Sequence, residues 1–369
     1  MEHLSELMRV SKSSLKAVEL LNKTVIRLNE DALLEAAEIL KINSKVITVG
    51  VKNTGQISRK YITKLIETKR YVWHTIDGMA EGGRAVDVNL INPITCRPMT
   101  GSSSATAVNV LYGINDVGIG TDGGGSVLAP ALSLNLFSIM AKGMGLCGNT
   151  DRVSTDGISF TPGLGVISHS FELARDTILM MLNIKEIESN IEDIKVAICR
   201  KGNIILPDGK DMEEKLNLVV DRLKEIGLDV YEEELPDFKD RRNSIVKIKK
   251  LMKTVDMVIT CEGPIDLMGL GDSVFGSMGQ FAKSAQDRSA KYMVKIANML
   301  NATCITIPVD EIASGIVITS RAGREEGIKA LKVAEKLKDL YSMPELYYSY
   351  FKDGYLRRKN DIIFSLEGV

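Results

Sequence analysis

The sequence predicts an α/β protein, and three observations predict it. Short apolar, β-branched runs recur along the chain: KVITVGV at 45–51, DIKVAIC at 193–199 and VDMVIT at 255–260. Each has the length and make-up of a buried strand. Amphipathic stretches at helical spacing, such as 211–226, lie between them, and a strand–helix–strand order argues layers of helix on sheet. The 369 residues are 44% hydrophobic and 26% charged, the balance of a globular protein with room for one large domain or two ordinary ones.

The same composition excludes several classes. A net charge of −1 gives no basic footprint for nucleic acid and no polybasic face for a membrane. No uncharged apolar run is long enough to span a bilayer, and the mixed-charge start, MEHLSELMRVSKSS, is no signal peptide. Cys96, Cys147, Cys199, Cys261 and Cys304 are scattered and odd in number, with no CxxC pair. They suggest neither a zinc site nor a disulfide framework, so a cytoplasmic protein with no metal or other cofactor is expected. A homo-oligomer is left open.

Taken in order, residues 1–43 place Leu4, Leu7, Met8, Leu15, Val18, Leu21 and Val25 at helical spacing. Asn29-Glu30-Asp31 then reads as a cap before ALLEAAEILKI. A helical hairpin over 1–44, packed outside the core, is expected, as scaffold or oligomer contact. The strand at 45–51 ends at Lys52. A lysine there is either a solvated strand end or a desolvated amine with a lowered pKa. A helix over 57–69 and the strand RYVWHTI follow. Gly78–Thr100 reads as an irregular run, in which Arg84 is a solvated loop residue or an anchor for an anion. SATAVNVLY suits a helix of small residues.

Beyond Pro130 a turn and short helix lead into a strand. Asp176 heads DTILMMLNI and reads as a first-turn carboxylate. The helix at 211–226 and the strand and acidic turn LDVYEEELPD come next. The Gly-, Met- and Ser-rich segment Gly263–Phe281 is a loop whose Met268, Phe275, Met278 and Phe281 form a substrate wall or fill space. A helix over 284–300, strands CITIPV and GIVITSR and a helix from Glu325 close a core domain at 45–345. Residues 346–369 form a packed extension.

The chain is organised around Gly101–Ala131, GSSSATAVNVLYGINDVGIGTDGGGSVLAPA. Two runs of Gly and Ser contribute little to a core. Glycine lets backbone approach a ligand, and successive N–H groups in such a turn form an anion-binding nest. Ser126 follows that turn directly. Gly118, Gly120 and Gly123 match GxGxxG, but residues 124–150 hold no Asp or Glu to bind a ribose, so a dinucleotide site is disfavoured. The only histidines are His3, His74 and His169, and no GxSxG elbow exists, which disfavours a Ser-His-Asp mechanism.

Gly101-Ser102-Ser103, then Gly118 through Val127 and Pro130-Ala131, resemble the amidase signature family of Ser-Ser-Lys serine amidases. Ser126 lies 24 positions after Ser102, the spacing that family keeps between its bridging serine and nucleophile. Gly50-Val51-Lys52 matches the context of its lysine, and Arg152-Val153-Ser154 with Gly157 its later GRVS segment. The resemblance implies a single mixed sheet sandwiched between helices. It also implies a shortened, divergent amidase with Ser126 as nucleophile, Ser102 as bridge and Lys52 as base. Gly123, Gly124, Gly125 and Ser126 would supply the oxyanion hole, and Ser103, Ser104, Thr121 and Asp122 support. The substrate would be a small-molecule or peptide amide. Transfer of the acyl group to an amine, or an inert binding role on the same fold, are the alternatives. The sequence departs from the pattern in the short Lys52–Ser102 interval, in the residues after Ser103, at Leu128 where an arginine is common, and around Asp176.

Overall fold

The computed structural model describes residues 2–185, 191–206 and 209–353. Of the extension expected at 346–369, residues 354–369 therefore lie outside the described residues. Four strands, Val117–Asp122, Gly163–Ser168, Met257–Glu262 and Gly315–Ser320, are buried at every position. A strand without an exposed side needs cover on both faces. Val166 and Ile167 show this, since one joins the largest apolar cluster and its neighbour joins a second cluster with Val108 and Leu111.

These strands belong to one mixed sheet of eleven. Across it run Val25–Leu28, Tyr71–Asp77, Ile47–Lys52, Val117–Asp122, Gly163–Ser168, Phe137–Met140, Cys304–Pro308, Gly315–Ser320, Met257–Glu262, Lys195–Cys199 and Asp229–Glu233. The Lys52 strand is parallel to both its neighbours, Tyr71–Asp77 and Val117–Asp122. The pairs from Val117–Asp122 to Met257–Glu262 are antiparallel. Parallel pairing returns at Lys195–Cys199. The α/β class and the mixed, helix-covered sheet are thus those expected.

Four local expectations are corrected. The first helix stops at Glu19, Asn22 takes a left-handed φ of 62°, and Val25–Leu28 becomes an edge strand instead of more helix. The β-branched pair Val25-Ile26 and antiparallel pairing to Tyr71–Asp77 favour extension there. The irregular run before the serine cluster contains a ribbon of Val86–Ile91 and Pro98–Thr100. The helix expected over 284–300 is Gln280–Asp287 followed by two short 3-10 turns, Met293–Lys295 and Ala297–Leu300. Asp176 sits inside the helix Phe171–Leu182, whose N-cap is Ser170, and it pairs with Arg175.

The GxGxxG resemblance is resolved by the strand Val117–Asp122, which contains Gly118 and Gly120. They are not in a phosphate loop. A Cβ on Gly118 would lie 2.5 Å from Thr106 Cγ2, so glycine lets the helix Ser104–Leu111 press onto the strand. Gly118→Ala should therefore lower the unfolding free energy by about 1–3 kcal/mol through overpacking, measured by urea denaturation. Adding Thr106→Ser removes the opposing methyl and should restore part of that loss. An unchanged midpoint in Gly118→Ala would contradict so close an approach.

Candidate active site

Lys52 and Thr121 stand near the ends of adjacent parallel strands, so the sheet itself delivers both to one edge. Ligands in open α/β sheets commonly bind at such carboxyl ends. Lys52 is only 3% exposed. Its Nζ donates to Ser102 Oγ at 2.6 Å and to Thr121 Oγ1 at 2.9 Å. It has no carboxylate ion pair among the described residues. Burial brings its pKa down to about 7, the nearby Asp122 opposes that shift, and Arg152 adds to it. The amine therefore exchanges its proton near neutral pH.

Ser102 follows the Pro98–Thr100 strand and is 4% exposed. Its backbone N–H donates to Ser126 Oγ at 3.3 Å, and the N–H of Ser103 donates to the Ser126 carbonyl at 3.1 Å. The serine cluster thus grips Ser126 through main chain. The Ser102 and Ser126 hydroxyls make no hydrogen bond to each other. Such contacts are often loose until substrate is bound. Ser103 Oγ donates to the Thr121 carbonyl, and Ser104 Oγ to Asp87.

Asp122 forms the turn that carries Ser126. Its Oδ1 accepts the N–H of Gly125 at 2.8 Å. Its Oδ2 accepts those of Val127 at 2.7 Å and Leu128 at 3.3 Å. Gly125 has φ of 100°, a conformation that a side chain would strain. The expectation that Gly125 joins an oxyanion hole is corrected here, since its N–H already belongs to Asp122. The N–H groups of Gly123, Gly124 and Ser126 have no protein acceptor among the described residues. These three line the adjacent cavity and Gly125 does not. Thr121, expected as a brace, accepts a hydrogen bond from Lys52 Nζ at its hydroxyl.

That cavity holds about 430 Å³ and is open to solvent, a size suited to a small molecule. Lys52, Ser102, Thr121 and Ser126 line it, with Met79, Ala85, Val153, Phe160 and Pro162 as its apolar portion. Arg84 also lines it, but its Nε and Nη2 both donate to Asp272, at 3.0 and 2.6 Å, so its charge is already paired. Arg241 bonds the Lys295 carbonyl and faces Asp156. Sequence reasoning missed Arg241, Asp272 and Phe160. Arg241 opens the helix Arg241–Leu251, which no pattern had singled out.

Other expectations find their place. Met268, Met278 and Phe281 are exposed outside the cavity, and Phe275 stacks on the Arg84 guanidinium, so the substrate-wall reading is corrected. The loop simply turns those apolar groups away from the site. His74 is buried against Ser14 and Asn115, and the half-buried His169 contacts the Leu111 carbonyl. Neither lines the cavity. Leu128 is core. All five cysteines are free thiols. No His/Cys/Asp/Glu group that could hold a metal occurs among the described residues, and no helix there is long and apolar enough to cross a membrane.

No family model and no curated protein matches the sequence. Solved structures do match its fold. A crystal structure of an amidase aligns over 91% of this chain and 96% of its own, with a TM-score of 0.64 at 15% identity. The peptide amidase of Stenotrophomonas maltophilia covers 92% and 95%, with 0.61 at 13%. A component of the glutamyl-tRNA(Gln) amidotransferase of Thermotoga maritima covers 93% and 94%, with 0.63 at 15%. These neighbours are amidase signature enzymes, and the chain has the amidase signature fold.

Two outcomes test the electrostatics. Asp122→Asn replaces an acceptor oxygen by a donor facing backbone N–H groups, and should cost about 1–3 kcal/mol in denaturation. A wild-type stability would mean the turn does not rely on that carboxylate. The folded pKa of Lys52, about 7, lies below its ordinary 10.5. The folded state therefore binds fewer protons between those values, so this group disfavours folding most at pH 7 and below and less as pH rises. The melting-temperature difference between Lys52→Met and wild type should shift in favour of the wild type from pH 6 to pH 10. A difference independent of pH would contradict a buried, depressed amine.

Proposed function

We propose that the chain is a divergent amidase signature enzyme that cleaves a carboxamide through an acyl-enzyme on Ser126. One observation carries this reading above the rest. A buried amine with a pKa of about 7 touches Ser102, the residue whose N–H holds Ser126 Oγ. Serine is a weak nucleophile until a base takes its proton, and a neutral lysine amine is such a base.

In this mechanism Ser126 Oγ attacks the amide carbon. Its proton moves to Ser102 as the Ser102 proton moves to the lone pair of Lys52, which reverses the sense of the Lys52–Ser102 hydrogen bond. The carbonyl oxygen becomes an oxyanion and accepts from the N–H groups of Gly123, Gly124 and Ser126. One such donor is typically worth about 3 kcal/mol. Collapse breaks the C–N bond, and the relay returns the proton to the leaving amine. Water, activated by the same relay, then releases the acid. An amine in place of that water would give transfer. The likeness in fold to an amidotransferase component supports that second outcome, and both outcomes share the acyl-enzyme.

Ser126→Ala should abolish release of ammonia or amine from a panel of carboxamides while leaving the thermal melt intact. Normal turnover by this variant would refute the proposal. Fluorophosphonate labelling of wild-type Ser126 should rise with pH through about 7, as Lys52 loses its proton, and should fall about 10²–10⁴-fold in Lys52→Met. Added hydroxylamine diverts the acyl group to a hydroxamate if transfer is the preferred outcome.

A further inference from the structure

The cavity holds one exposed guanidinium that no protein carboxylate balances. Lys52, Arg84, Arg152 and Arg241 are its cationic lining residues, and Asp272 is its single acidic one. Asp272 is consumed by Arg84 in a two-nitrogen fork. Arg241 faces Asp156 and spends two further bonds on the Lys295 carbonyl. Lys52 is buried among hydroxyls. Arg152 remains, exposed on the two-residue strand Arg152–Val153, with no carboxylate partner among the described residues. Its sequence neighbour Asp151 accepts from Thr161 and lines a different cavity. Arg152 is also near enough for its charge to be felt at Lys52.

We infer that the substrate is a carboxamide that also bears a carboxylate, and that Arg152 binds that carboxylate while the amide lies at Ser126. This rests on the amidase reading and names its substrate class. The guanidinium fork matches a planar carboxylate with two parallel bonds. One uncompensated guanidinium is matched by a singly charged anion. A carboxylate meets that, whereas a phosphate monoester carries about −1.5 to −2 at neutral pH. Polar and apolar surface share the rest of the cavity, with Phe160 and Met79 suited to a short methylene spacer between the two groups. Binding an anion on Arg152 also offsets that residue's repulsion of a proton on Lys52, so the charge that selects substrate and the group that activates the nucleophile are coupled in space.

The test uses the monoamides of malonic, succinic, glutaric and adipic acids beside the corresponding neutral diamides. The best monoamide should exceed its diamide about tenfold in kcat/KM, chiefly through KM. That preference should weaken as salt is raised. Arg152→Ala should erase it by raising KM for the monoamide alone, and Arg152→Lys should keep part of it. Equal use of both series, with a ratio unchanged in Arg152→Ala, overturns the inference while leaving the amidase reading intact. Calorimetry on Ser126→Ala separates the two claims in the other direction. If no amide is turned over and Ser126 resists labelling, the amidase reading fails. Selective binding of monoamides that is lost in Ser126→Ala/Arg152→Ala still supports the anion subsite, and its absence overturns it.

Discussion

The arrangement at the Ser126 edge of the sheet depends on one buried carboxylate accepting three backbone N–H groups. Asp122 ends a central strand and turns its side chain forward onto the next turn. Burial raises its pKa and the N–H bonds pull the other way. Those bonds fix Gly125 at positive φ, which sets the direction of the Gly123 and Gly124 amides and of Ser126. Glu262 repeats the device across the sheet. It ends the Met257–Glu262 strand and accepts from the backbone of Tyr292, Met293 and Val294. The Val294 carbonyl packs directly beneath Gly125, 3.2 Å from where a Cβ would stand. Asn298, a little further on, donates to the Asp122 carbonyl at 2.7 Å. Two strand-end carboxylates thus organise two turns that brace each other.

Strand direction supplies the second constraint. Lys52 and Thr121 meet because their strands are parallel neighbours with Val51 opposite Ile119. An antiparallel pairing would put their ends on opposite edges. The short interval from Lys52 to Ser102 still closes, through one α-helix, one strand, the 3-10 turn Glu81–Gly83 and the small ribbon of Val86–Ile91 with Pro98–Thr100. That ribbon brings Ser102 back over the Lys52 strand end. The residues unlike the family pattern after Ser103 are buried on this return path, where Ser104 bonds Asp87 and needs no ligand to satisfy it.

Much of this was legible in the sequence where a physical requirement leaves a local mark. Fully buried strands show as β-branched runs, and a backbone turn that must expose amides shows as GTDGGGS. Ser126 stands out because its glycine turn carries such a mark, whereas Lys52 and Ser102 are singled out through the family resemblance, since a lysine at a strand end reads by itself as solvated. Val117–Asp122 was harder to read as a strand, since the glycines that admit a helix against it also erase its β signature. Arg241, Asp272 and Phe160 leave no local mark at all. They reach the cavity by long-range packing, from a helix, a loop and a two-residue strand far apart in sequence. The role of Gly125 was misassigned for a similar reason. Whether a glycine N–H faces a ligand or a carboxylate depends on a side chain's rotamer, which spacing does not encode.

The burial of Lys52 argues for chemistry over scaffolding. A buried charged amine without a carboxylate is strongly disfavoured. A fold that needed only a filler at this position would gain by placing Met or Leu there. A fold that needed a structural cation would pair it, as Lys291 is paired with Asp266 at 2.5 Å with both nearly buried. Lys52 receives neither treatment. It is held by two hydroxyls that satisfy the neutral amine as well as the charged one, and Asp122, the carboxylate whose charge reaches it, has its oxygens committed to backbone. That environment suits a group that must change protonation state without leaving its place. A proton relay to a serine requires such a group, and a structural lysine gains nothing from it.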